Sequence, residues 1–183
     1  IHNRMVTNLD NDWNVNGSGS KVIAGDGINA MTLTVNAWLN GLLDVSNGTT
    51  LVLKNEQQPV LGELSAGSTV KFMNNATLIP YKEFSNIVIS GIDPVFSENG
   101  TITVKGNLNL EGDVMMPDAR GAAQYSIVFN GMGEQLIDTD GNVLRSYNMN
   151  FEKEDGNISF AIGSIISTDN QLTFYFTNDI RLN

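Results

Sequence analysis

Apolar and polar positions alternate along most of this chain. In "MTLTVNAWL" (31–39), Met31, Leu33 and Val35 alternate with Thr32 and Thr34. The same period of two runs through "TTLVLK", "STVKFM", "NIVIS", "TITVKGNLNL", "YSIVF", "NISFAIG" and "QLTFYFT". These short runs are rich in β-branched and aromatic residues, which predicts strands. The separators "NG", "DG", "GDG", "ENG" and "TDGN" are turn signals. No stretch holds a helical period over ten or more positions. The best helix candidate, "QQPVLGEL", is broken by Pro59 and Gly62. The pattern predicts an all-β protein.

The runs also repeat. "STVKFMNNATLIPYKEFSNIVIS" (68–90) aligns with "YSIVFNGMGEQLIDTDGNVLRSYNMNF" (125–151). Phe72 falls on Phe129, Leu78-Ile79 on Leu136-Ile137, Asn86 on Asn148 and Ile89 on Phe151. "NGTITV" (99–104) then falls on "DGNISF" (155–160). The unit is roughly 55–60 residues with several short strands. We expect one domain over 1–183, with repeats at about 68–124 and 125–183 and a partial copy at about 20–67. A solenoid suits such a chain, because each coil buries its apolar side chains only against the next. Asn86 and Asn148 then suit ladder or turn positions. The expected fold is a right-handed parallel β-helix or similar solenoid. The alternative is a β-sandwich, which also spaces short strands at about 8–12 residues.

Gly131 and Gly133 in "YSIVFNGMGEQLID" raise the question of a phosphate cradle. A dinucleotide loop needs a helix whose first amides bind the pyrophosphate. Here an apolar strand run follows, and Leu136 stands where the third glycine belongs. The aligned loop "MNNAT" has asparagine in place of glycine, which suits a turn needing positive φ.

The order seen in "IVFNGMGEQLI", "SYNMNF" and "GNISFAIGSI", and again in "TVKFMNNATLI", "FSNIVI" and "GTITVKGNLNL", resembles β-strand repeats of large secreted surface or adhesin-type proteins of gliding, type-IX-secreting bacteria. The resemblance covers about residues 30–170. It implies a parallel β-helix or similar solenoid with a structural or adhesive role outside the cell.

Composition narrows the function. Hydrophobic residues are 41% and charged residues 16%, too apolar for a disordered chain. No run approaches the roughly 18 apolar residues of a membrane helix, so membrane insertion is not expected. The net charge of −10 disfavours nucleic acid. The absence of cysteine excludes disulfides and thiolate chemistry. The single histidine, His2, leaves no His-based triad or multi-His metal site. The chain opens at Ile1 without a charged segment followed by an apolar one, as expected of a processed chain or a fragment. Its 24 asparagines and 18 glycines fit frequent turns.

The remaining candidates read more simply as structure. Asp138, Asp140 and Asn142 have calcium-like spacing, but Val143 and Met149 stand where an EF-hand loop needs glycine and glutamate. An Asp-Gly hairpin turn explains them. Asp113 with Asp118, or Glu152 with Glu154 and Asp155, are carboxylate pairs of the glycosidase kind. "FEKEDGN" reads as a solvated strand end, and Arg120 is available to pair in "EGDVMMPDAR". Trp38 suits the core, whereas Trp13 is the better candidate for a sugar-stacking platform. "LTFYFTNDIRL" puts Phe174 and Phe176 on one face and Tyr175 on the other, an apolar end that solenoids normally cap with polar residues. Five N-x-S/T sites, at Asn16, Asn47, Asn75, Asn99 and Asn157, match chance expectation. Ice binding needs a Thr-x-Thr array in register, which "TLT" and "TIT" do not supply.

The expected function is therefore a non-enzymatic structural protein, extracellular or at the cell surface. It would be an adhesin segment or a fibre subunit associating end to end or by strand addition. Its expected partners are copies of itself and, after that, surface polysaccharide. No catalytic residue, cofactor or metal is expected. The alternative is a carbohydrate-binding or phage-fibre recognition module, and the third reading is a polysaccharide-active enzyme.

Overall fold

The structure is a computed structural model that describes residues 6–9, 13–14, 20–35, 39–54, 59–74, 76–78, 82–91, 95–96, 99–116 and 124–176. The described residues form strands and turns without a helix, and every strand pair is parallel. The chain is a β-solenoid. Parallel neighbours need a crossover between them, so a sandwich built from hairpins is ruled out.

Strands are numbered in chain order. One eight-stranded sheet holds, in spatial order, β1 (Val6–Leu9), β4 (Met31–Val35), β7 (Thr49–Leu53), β9 (Thr69–Met73), β12 (Asn86–Ser90), β15 (Leu108–Glu111), β17 (Gln135–Asp138) and β19 (Ile158–Phe160). A five-stranded sheet holds β11 (Glu83–Phe84), β14 (Gly100–Val104), β16 (Tyr125–Phe129), β18 (Val143–Lys153) and β20 (Ile165–Phe176). Toward the N-terminus its counterpart is β3 (Lys21–Ala24), β6 (Leu42–Val45) and β8 (Val60–Leu64). The short pairs β2 (Trp13–Asn14) with β5 (Leu39–Asn40), and β10 (Thr77–Leu78) with β13 (Val95–Phe96), lie between these sheets along the chain. The side chain of Lys82 bridges the three- and five-stranded sheets by donating to the carbonyls of Leu61 (2.9 Å) and Gly62.

The registers make the repeating unit one coil. It ranges from 17 residues (Thr69 to Asn86) to 29 (Leu108 to Ile137). The longer spacing that aligns Phe72 with Phe129 relates β9 to β16, strands of different sheets. It likewise relates β12 to β18 and β14 to β19. The sheets look alike in sequence because both turn alternate apolar residues inward.

Inward positions stack into rows. Leu33, Leu51, Val70, Ile87, Leu108, Ile137 and Phe160 form one row of the eight-stranded sheet. Phe84, Val104, Phe129, Phe151 and Phe174 form the matching row of the five-stranded sheet. All but the last member of each row are buried. Burying a side chain of this size stabilises by about 1.5–3 kcal/mol before entropy is counted.

Polar groups are also shared between coils. Asn86 donates to Ser68 O (3.0 Å) and accepts from the Asn107 amide (2.9 Å); Asn107 in turn accepts from the Leu136 amide (2.8 Å). On the other sheet, Asn148 donates to Ser126 Oγ (3.0 Å) and accepts from Asn170 Nδ2 (2.8 Å). The expected asparagine ladders exist, but Asn86 and Asn148 belong to different ones. Outward on the eight-stranded sheet, Thr32, Thr50 and Thr69 share a row. The next row reads Thr34, Val52 and Lys71, so paired threonines do not continue.

Candidate functional site

Gly131 and Gly133 lie in the turn from β16 to β17, a strand–turn–strand corner. Gly133 has φ +80, and Asn74 in the loop aligned with it has φ 52, the left-handed backbone expected of both. The Gly131 amide donates to Gln135 Oε1 at 3.0 Å, which leaves it unavailable to a phosphate. Gln135 Nε2 donates to Val104 O (3.0 Å) and Gly106 O (2.7 Å) in the preceding coil. From the following coil, Lys153 Nζ donates to Gly131 O, to Gly133 O (2.7 Å) and to Gln135 Oε1 (3.0 Å). Lys153 is only 3% exposed. Burial lowers its pKa from the usual 10.5, while the charge of Asp155 opposes that shift. Three consecutive coils are thus pinned by one buried polar cluster.

Beside this corner lies an open groove of about 820 Å³. Its position follows from register. Glu152 pairs with Tyr175, one step beyond the Phe151–Phe174 pair. Asn130 follows Phe129 and donates its amide to Val104 O (3.2 Å), which sets it beside Lys105. Lys105, Asn130, Glu152 and Tyr175 therefore form one outward row across four coils, and all four line the groove. Lys153 and Glu154 complete its polar side, and Met132, Phe174 and Phe176 add apolar surface. Tyr175 is 63% exposed and Phe174 38%. Asn130 Oδ1 is buried with no hydrogen-bond partner among the described residues. Lys105 reaches Glu83 at 3.8 Å, an exposed pair of little energetic weight.

The acidic turn 138–142 is a coil corner, where a hairpin was expected. Asp140 (φ 47) and Gly141 (φ 75) form a tight turn closed by the Asn142 amide on Thr139 O at 2.7 Å. Strands β17 and β18, on either side of it, belong to different sheets. Its polar side chains hold the loop of the coil before. Asp140 accepts from the Gly112 amide (3.3 Å) and Asn142 from the Val114 amide (2.9 Å), while Asn142 Nδ2 donates to Gly112 O (2.8 Å). Among the described residues no three His, Cys, Asp or Glu side chains converge as a metal site.

Glu152 and Glu154, read from sequence as part of a solvated strand end, lie at the end of β18 and line the open groove, while Asp155 accepts from the Gly156 amide (2.7 Å). Asp113 is exposed after β15; Asp118 and Arg120 lie outside the described residues, as do His2 and Trp38. The backbone of Trp13, in β2, pairs with Leu39 of β5, and the side chain of Trp13 lies outside the described residues. Tyr175 is thus the most exposed of the groove's aromatics among the described residues. Its alternation with Phe174 and Phe176 was the sequence signal for it.

No family model matches the chain, and neither a curated protein nor a solved structure matches it. The fold rests on the structure itself: a parallel β-solenoid with a mixed aromatic and polar groove beside its last strand.

Proposed function

We propose that the chain is a non-enzymatic structural protein, extracellular or at the cell surface. It serves as a solenoid segment of an adhesin, or as a subunit that joins copies of itself end to end or by strand addition. The observation that carries this reading is β20. This twelve-residue strand pairs with β18 along one edge, and its other edge has no partner strand among the described residues. Ile165, Leu172, Phe174 and Tyr175 are exposed on it. A long apolar edge is a template for another strand. At the far end of the eight-stranded sheet β1 is the terminal strand. Joining one end to the other gives a heterologous contact that does not close, and so a filament.

Negative-stain electron microscopy, with light scattering over a concentration series, tests this. Filaments with an axial repeat of about 38 Å are expected, from eight strand levels at ~4.8 Å each. Monomers at every concentration would remove self-association from the reading.

A further inference from the structure

We infer that the groove beside β20 is a binding site for an uncharged oligosaccharide chain, open wherever β20 is not joined to another copy. Three observations converge on it. The first is an aromatic surface. Tyr175 stands out from the sheet, with Phe174 and Phe176 in the same groove. An aromatic face packs well against the C–H face of a pyranose ring, and tyrosine adds a hydroxyl that hydrogen-bonds.

The second is the row of bonding groups. Tyr175 and Glu152 are neighbours in register, Asn130 and Lys105 follow along the same row, and Glu154 and Met132 lie alongside. Carboxylate, amide and ammonium groups together accept and donate, as vicinal hydroxyls require. Asn130 lines the groove, and its Oδ1 has no hydrogen-bond partner among the described residues. The row advances by about 4.8 Å per strand, close to the advance of one hexopyranose along an extended chain. A rigid sheet presents these groups already spaced, so little ordering is lost on binding.

The third is charge. Two carboxylates, Glu152 and Glu154, are balanced in the groove by the ammonium groups of Lys105 and Lys153, while the chain as a whole carries a net charge of −10. The groove thus offers no net positive charge to a polyanionic glycan and the field of the whole chain disfavours one, whereas an uncharged glycan gains hydrogen bonds without that penalty. The groove volume of about 820 Å³ lies within the range of ligand clefts.

The test is isothermal titration calorimetry of the full chain with three hexasaccharides: β-1,4-linked glucose, β-1,4-linked N-acetylglucosamine, and α-1,4-linked galacturonate. Binding of at least one uncharged probe, and at least tenfold weaker binding of galacturonate, is expected. Tyr175→Ala should weaken the uncharged probe at least tenfold, and Leu136→Ala, on the outward face of the other sheet, should not change it. Glu152→Lys provides a second reading should Tyr175→Ala misfold, since it should lower the preference against galacturonate. The inference is overturned if neither uncharged probe binds, if galacturonate binds best, or if folded groove variants bind like the unaltered chain.

Discussion

The ring of Phe174 lies flat on the ring of Phe151, with centroids 4.9 Å apart and planes 17° apart; Phe151 in turn stacks on Phe129 at 5.2 Å and 16°. Only the outermost ring is exposed. Truncation should therefore cost unequally along one row. Phe151→Ala empties an enclosed site and is expected to lose about 3–5 kcal/mol. Phe174→Ala gives up a half-covered ring and about one stacking contact, for a loss of about 1–2 kcal/mol. Urea unfolding of both variants measures the ratio, and equal losses would mean the end of the row is covered in solution.

Two glycines of one turn should respond differently. A Cβ on Gly131 would sit 1.5 Å from Lys105 O, a backbone atom that moves only with its coil. Gly131→Ala is expected to cost at least about 3 kcal/mol or to prevent folding. A Cβ on Gly133 meets nothing within 4 Å, but the residue has φ +80. Gly133→Ala should cost about 1–2 kcal/mol, and Gly133→Asn less, because asparagine tolerates this conformation as Asn74 does. Thermal melts of the three variants check the order.

Lys153 links its own coil to the one before it at Gly131, Gly133 and Gln135, and Gln135 carries the link to the coil before that. Lys153→Met keeps the stem and removes all three donors, leaving buried acceptors unmatched, so a loss of about 2–4 kcal/mol is expected. The pH dependence has a definite sign. The folded-state pKa lies below 10.5, so between the two values the unfolded chain binds more protons and folding strengthens as pH rises. The cost of Lys153→Met should grow through that alkaline window. Chemical denaturation at several pH values reads this, and a cost that shrinks would contradict the assigned burial effect.

Asp26 caps its own turn. It accepts from the Asn29 amide (2.8 Å), Asn29 Nδ2 (2.8 Å) and the Ile28 amide (2.9 Å). These bonds, the Asn29 amide first, lower its pKa from 3.8 to about 2. Its contribution is complete above pH 3.8 and is lost as pH falls through about 2. A carboxyl-carbon NMR titration should place Asp26 well below the ordinary carboxylates, and Asp26→Asn should abolish the acid-range change at Ile28 and Asn29.

Much of this architecture was legible in the chain. Alternation in "YSIVF" and "STVKFM" specified strands, and the Gly- and Asn-rich corners specified left-handed turns, found at Asn74 and Gly133 but not at Gly131. The length of the repeat was not. Phe72 and Phe129 look equivalent because both are inward aromatics ending a strand, although they belong to different sheets. Coil lengths vary because loops at the corners vary, and that blurs the shorter period. The true partner of Asn148 is Asn170, which has few like neighbours in sequence to advertise it. The groove was hidden for a related reason. Lys105, Asn130, Glu152 and Tyr175 each sit in a different run, and only register brings them into one row. Conversely, the spacing of Asp138, Asp140 and Asn142 hinted at an ion, while the structure gives those groups backbone amides as partners.

Because strands pair only between adjoining coils, a force applied across the stack acts on the molecule in series. The ladder bonds lie along the line of pull, and a strand at the end of the sheet can be stripped without disturbing the interior. Each release frees one coil of 17 to 29 residues, about 60–100 Å of slack at ~3.5 Å per residue. Buried pegs such as Lys153 and Gln135 would set which coil yields last. Stretched, such a body lengthens in discrete increments and dissipates work at each one, behaving less like a rod that snaps than like a tether that pays out.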